Sequence, residues 1–98
     1  MNGKTKNLLI VAMEECSEII QACSKAIRFG LDAHHPNKDK SVTHASEILV
    51  EYYQLQAIIE KLQKDGNMPY FNSDFIKRIK RGKLRKMEKY YEENKNKR

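Results

Sequence analysis

Met13-Glu14-Glu15-Cys16-Ser17-Glu18-Ile19-Ile20-Gln21-Ala22-Cys23-Ser24-Lys25-Ala26-Ile27-Arg28-Phe29-Gly30 carries the pattern that decides the fold. Apolar residues recur at Leu9, Ala12, Cys16, Ile19, Cys23, Ala26 and Ile27, at spacings of three and four. That period predicts one amphipathic helix over about 5–29. At about 100° per residue the core-facing arc centres near Ala12 and Ile19, with Glu15 inside it and Glu18 at its edge one turn on. An ionised carboxylate buried without a partner costs several kcal/mol, so this pair calls for a cation or a neutralising proton. Glu residues one helical turn apart can share a hard divalent ion such as Mg2+. The alternative is a wet boundary where both meet Lys or Arg from another helix.

Gly30 is expected to end this helix in a left-handed cap. Leu31 to Lys40 contains Pro36, Asn37 and Asp39 without periodicity and reads as a loop. Its His34-His35 pair could ligate a metal or titrate near neutral pH, but neighbours in sequence rarely point together, and a solvated loop is the favoured reading. Ser41 offers N-cap chemistry for a second helix over about 42–65, with Gly66 as its stop. Ile48, Tyr52, Leu55, Ile58, Ile59 and Leu62 define the buried arc of that helix. Glu51 falls within the arc, and Glu47 and Gln54 lie on its edge, one turn either side. The second helix thus repeats the anomaly of the first, which is the coincidence a shared metal site requires.

The rest of the chain is a third helix. Ser73 is the expected N-cap and Asp74 complements the helix dipole, giving a helix over about 74–93 with a narrow stripe of Phe75, Ile79, Met87 and Tyr91, weakened at Gly82. Residues 75–98 hold 11 Lys plus Arg against 3 Glu, so the formal charge of +6 on the 98-residue chain comes from this end. Residues 94–98 are expected to fray. A basic helix with Tyr90 and Tyr91 could bind nucleic acid through phosphates, although no base-reading motif accompanies it, and a solvated face ranks ahead.

These features imply a single small all-α domain, an antiparallel helical bundle completed by oligomerisation. No apolar run approaches the roughly 18 residues of a membrane helix and no signal-peptide pattern is present, so a cytoplasmic protein without membrane contact is expected. Cys16 and Cys23 lie about 10 Å apart along one helix, too far for a mutual disulfide, and are expected to be small core residues.

Glu14-Glu15-Cys16-Ser17-Glu18 resembles the EExxE motif of the all-α nucleoside triphosphate pyrophosphohydrolases, the MazG-like superfamily. Its continuation through Lys25-Ala26-Ile27-Arg28-Phe29-Gly30 is similar to small members often encoded by phages. The family's second motif, ExxD, is best matched by Glu51-Tyr52-Tyr53-Gln54, so the resemblance spans about residues 8 to 65. It implies hydrolysis of a nucleoside triphosphate to monophosphate and pyrophosphate by a homodimer or homotetramer, with Mg2+ or Mn2+ as cofactor. Carried over by position, Glu15, Glu18 and Glu51 are the implied metal ligands, and Glu14 and Glu15 the catalytic acids. Gln54 stands where the family has Asp, which removes one negative charge. Glu47 could supply that carboxylate from the same face. Taking Glu47 as the motif Glu instead would put Val50, which cannot ligate, at the Asp position. Loss of the Asp leaves two outcomes open, turnover or a catalytically silent nucleotide binder. Lys25 and Arg28 are candidates for the substrate phosphates, with Lys61 and Lys64 behind them. Tyr52 and Tyr53 could stack a base, but aromatics at helical spacing usually pack in a core.

Overall fold

The computed structural model describes residues 1–95 and is all-α, with α1 over Gly3–Phe29, α2 over His44–Lys64 and α3 over Ser73–Asn94. Packing divides the chain into two compact units, Met1–Met68 and a second beginning at Pro69, where the sequence predicts one domain. No helix among the described residues is long and apolar enough to cross a membrane.

The first unit is a hairpin of α1 and α2. Three contacts set its antiparallel register: Lys4 with Asp65 at 4.0 Å, Glu18 with Glu51, and the Phe29 ring on the His44 ring with centroids 5.9 Å apart. Asn2 caps α1, its side-chain oxygen accepting from the Thr5 N–H at 2.8 Å. At the other end Gly30 has φ 98° and ψ 148°, which is outside the left-handed helical cap expected there but equally open only to glycine. Its N–H donates to the Ala26 carbonyl at 2.8 Å.

The connection from Gly30 to Thr43 folds back over the start of α2. The N–H groups of His44 and Ala45 donate to the carbonyls of Ala33 and Leu31, at 2.9 and 3.0 Å. These bonds satisfy donors that a helix start leaves without intrahelical partners. Thr43, rather than Ser41, is the N-cap, its hydroxyl accepting from the Ser46 N–H at 3.1 Å. Ser41 instead donates through its N–H and hydroxyl to the Asp39 carboxylate, both at 2.9 Å, and the N–H bond holds that carboxyl below its usual range. Gly66 ends α2 as expected, in a Schellman motif. Its φ is 81°, its N–H donates to the Gln63 carbonyl at 3.0 Å, and the Asn67 N–H reaches the Leu62 carbonyl at 2.8 Å.

The core is thin: Leu62, Ala22 and Ala26 are its buried apolar residues, beside buried Thr5 and His44. On α1 the buried stripe passes through Glu15, Ala22 and Ala26, turned about 50° from the arc centred on Ala12 and Ile19. Cys16 and Cys23 are therefore exposed, not core residues, and Ile27 is 85% exposed. Helix α1 is apolar on two sides, and α2 covers only one of them. Tyr52, placed in the α2 arc by its spacing, is also exposed.

In the second unit, α3 is capped by Asn72, whose side chain accepts from the Phe75 N–H at 2.9 Å; Ser73 is the first helical residue instead of the cap. Phe71 and Phe75 pack edge to face across this cap, ring centroids 4.7 Å apart. None of the described residues of α3 is buried, including the predicted stripe of Phe75, Ile79, Met87 and Tyr91. Of residues 94–98, expected to fray, Asn94 is the last residue of α3 and Lys95 its C-cap, while 96–98 lie outside the described residues.

Candidate functional site

The antiparallel register brings Glu15 and Glu18 of α1 opposite Glu51 of α2. One carboxylate oxygen from each lies within 4.8 Å of the others. Glu15 and Glu51 are half-buried and Glu18 is exposed. Gln54, one turn beyond Glu51, joins the group. With its amide nitrogen facing inward it donates to Glu51 Oε2 at 2.9 Å and to Glu15 Oε2 at 3.1 Å, an orientation that satisfies both ends of the amide. Turned over, the same amide presents its carbonyl oxygen to the same point.

Like charges this close disfavour ionisation. A hydrogen bond that the protonated Glu18 carboxyl donates to Glu51, then the Glu51 charge, and last a loss of hydration hold Glu18 above its usual range. Among the described residues, none of these three carboxylates is paired with Lys or Arg. Three carboxylates and an amide oxygen from two rigid helices match the all-oxygen donor set that Mg2+ and Mn2+ prefer. The residues present fit such an ion.

The other predicted site residues fall elsewhere. Glu14 is exposed and outside the acidic group. Glu47 does not supply the missing carboxylate: it faces Lys38 at 3.5 Å and is not among the converging oxygens. Lys61 is bound to Asp65 at 2.8 Å, near Lys4, and Asp65 is held below the usual carboxylate range mainly by that bond. Lys64 is exposed in the last turn of α2. Tyr52 and Tyr53 pack edge to face on each other, centroids 5.2 Å apart, and both are exposed.

Lys25 and Arg28 line a cavity of about 430 Å³, together with Phe29, His34, His35 and His44. Neither cation has a carboxylate partner among the described residues, and the Arg28 guanidinium lies 5.3 Å from the Phe29 ring centroid. His34 and His35, expected to diverge into solvent, both reach this cavity, because an isolated antiparallel bridge between His34 and Thr43 draws the loop against the hairpin. The Asn37 N–H donates to His35 Nδ1 at 3.2 Å, which leaves the proton of a neutral ring on Nε2. His44 is only 4% exposed, and its buried Nδ1 has no hydrogen-bond partner. An unpaired buried polar atom costs about 1–3 kcal/mol, so this nitrogen stands out in so small a core.

Sequence spacing held one signal for this cavity. Lys25 follows Glu18 by seven residues and Phe29 by eleven, while His44 precedes Glu51 by seven. On antiparallel helices these offsets place all three on the faces that carry the acids. In comparisons with known proteins, no family model, no curated protein and no solved structure matches the chain.

Proposed function

We propose that the protein is a Mg2+-dependent nucleoside triphosphate pyrophosphohydrolase, as its resemblance to the MazG-like superfamily implies. The observation that carries this reading is the convergence of Glu15, Glu18 and Glu51, within 4.8 Å and without a basic partner among the described residues. Glu15, Glu18 and Glu51 would hold the ion, with the Gln54 carbonyl oxygen as a neutral fourth donor. Bound there, the ion neutralises polyphosphate charge and polarises a water for in-line attack. Glu14, exposed beside Glu15, is left to orient that water, and Lys25 and Arg28 to steady the phosphate chain. Attack on the phosphate next to the sugar releases pyrophosphate and leaves the monophosphate.

A homo-oligomer, dimer or tetramer, belongs to this proposal. Met13, Ile20 and Ile27 recur every seven residues on α1 and are 71%, 69% and 85% exposed, an apolar stripe suited to another copy. The second reading is a silent nucleotide binder. Gln54 favours it, because its amide N–H groups hold Glu15 and Glu51 together without an ion and because it brings no charge. Pyrophosphate release from a panel of common nucleoside triphosphates decides between them. Turnover that requires Mg2+ and vanishes in Glu18→Gln supports the enzyme; Mg2+-dependent nucleotide binding without pyrophosphate release supports the binder.

A further inference from the structure

We propose that one face of α3 binds single-stranded nucleic acid, with Lys80, Lys83 and Lys86 on the phosphates and Tyr90 and Tyr91 stacking bases. This face belongs to the second unit, and its binding is independent of any hydrolysis at the acidic group.

The face follows from the helical period. At about 100° per residue, Lys80, Lys83, Lys86, Met87, Tyr90 and Tyr91 fall within an arc of about 140°. Asp74, Glu88 and Glu92 fall on the other side of the helix, and Glu93 at the margin of the arc. The surface has the corresponding shape. One recess is lined by Lys83, Lys86, Met87, Tyr90 and Tyr91, and a second, sharing both tyrosines, adds Asn94 and Lys95.

Tyr90 is 57% exposed and Tyr91 67%. Among the described residues neither ring stacks on another aromatic ring, and none of the three lysines has a carboxylate partner. Open aromatic faces beside unpaired cations suit a single strand, because every base has a π-face to stack and every nucleotide a phosphate to neutralise. Charge complementarity points the same way. Residues 75–98 hold 11 Lys plus Arg against 3 Glu, which makes this end attractive to a polyanion. From Lys80 to Tyr91 the helix rises about 16 Å, roughly the length of five stacked nucleotides at 3.4 Å each.

Other occupants fit less well. A helix that lies in a lipid interface, or against the apolar stripe of another copy, is apolar through the middle of its buried face. On α3 the lysines step diagonally across the arc of Ile76, Ile79, Met87 and Tyr90, and Lys83 stands at its centre. Covering that face with apolar material would strand an ammonium without a partner. A double helix offers phosphates to the lysines but keeps its bases stacked inside, away from the tyrosines.

The test is fluorescence anisotropy of labelled oligo(dT) and oligo(rU) titrated with the full chain in chelator, so that no divalent ion at the acidic group contributes. One or both strands should bind, with log affinity falling linearly against log salt. Lys83→Ala and Lys86→Ala should each reduce that slope by about 0.7, the share of one phosphate contact on a single strand. Tyr90→Ala and Tyr91→Ala should each weaken binding by about fivefold or more at fixed salt and leave the slope unchanged. Tyr90→Phe and Tyr91→Phe, which keep the rings, should retain the affinity, and circular dichroism checks that every variant keeps its helix content. Absence of binding to both strands at low salt overturns the proposal. Affinity indifferent to the tyrosine-to-alanine changes overturns it too, since only a basic surface would remain. Tighter binding to the oligo(dA)·oligo(dT) duplex, or binding to phosphatidylserine vesicles that the oligonucleotides do not displace, overturns it in favour of those occupants.

Discussion

Glu18 and Glu51 meet across the α1–α2 hairpin, and a hydrogen bond between their carboxyl groups holds Glu18 above the usual carboxylate range. A proton there does in part what a divalent cation does better: it removes charge from a place where Glu15 also points.

A carboxyl whose pKa is raised on folding binds its proton more tightly in the folded state. Its contribution is complete below the unfolded value and is lost as pH rises through the raised one. Without divalent ions the melting temperature should therefore rise as pH falls from neutrality into the range just above the normal carboxylate pKa, and Glu18→Gln should flatten that rise. At still lower pH, Asp39 and Asp65, both held below their usual range, work in the opposite direction. Thermal melts with chelator at a series of pH values, wild type against Glu18→Gln, read this out.

Gln54→Asp restores the acid of the second motif and removes the N–H donors to Glu51 and Glu15. Without metal the variant should melt below wild type, since a fourth negative charge joins the group. With Mg2+ the order should narrow or reverse, because a charged oxygen ligand should tighten binding by roughly tenfold, equivalent to about 1.4 kcal/mol. Calorimetric titration with Mg2+ measures the affinity, and faster pyrophosphate release would identify the native Gln54 as a brake on turnover.

Leu62, at 1% exposed, is the largest fully buried side chain of the described residues. Leu62→Ala should cost about 2–5 kcal/mol in denaturant unfolding, as other buried Leu truncations do. Loss at the low end of that range would mean the thin core collapses around the gap.

Gly66 isolates a backbone effect. A Cβ placed there meets nothing within 4 Å, yet φ is 81°. Gly66→Ala should destabilise by about 1–2 kcal/mol through left-handed strain alone. An unchanged unfolding midpoint would show that the Schellman turn rearranges.

Much of this was legible in the sequence because helical period and Gly punctuation are local. The three helices begin and end within two residues of expectation. Where caps differ, at Thr43 and Asn72, an eligible neighbour stood one or two residues away, and only backbone geometry decides which side chain reaches the third N–H. The Glu15, Glu18, Glu51 and Gln54 group was legible because two inward acids on neighbouring antiparallel helices have few places to go but towards each other. Glu47 was misread because it lies a full turn nearer the start of α2, at the level where Lys38 of the loop reaches it. Cys16, Cys23 and Ile27 were misread because α1 is apolar on both sides, so the pattern averaged a covered stripe with an exposed one. The loop wall of the His44 cavity was out of reach, since it has no periodicity and is held in place by hydrogen bonds from the N–H groups of His44 and Ala45 to the Ala33 and Leu31 carbonyls.

On the proposed function, Glu15, Glu18 and Glu51 form one binding site for a divalent cation. Mn2+ titration of the full chain followed by electron paramagnetic resonance, with Mg2+ as competitor, tests it most directly. One Mn2+ should bind per chain and be displaced by Mg2+, with affinity at least tenfold weaker in Glu51→Gln. Mn2+ binding that is indifferent to Glu51→Gln, or absent at millimolar metal, would contradict it.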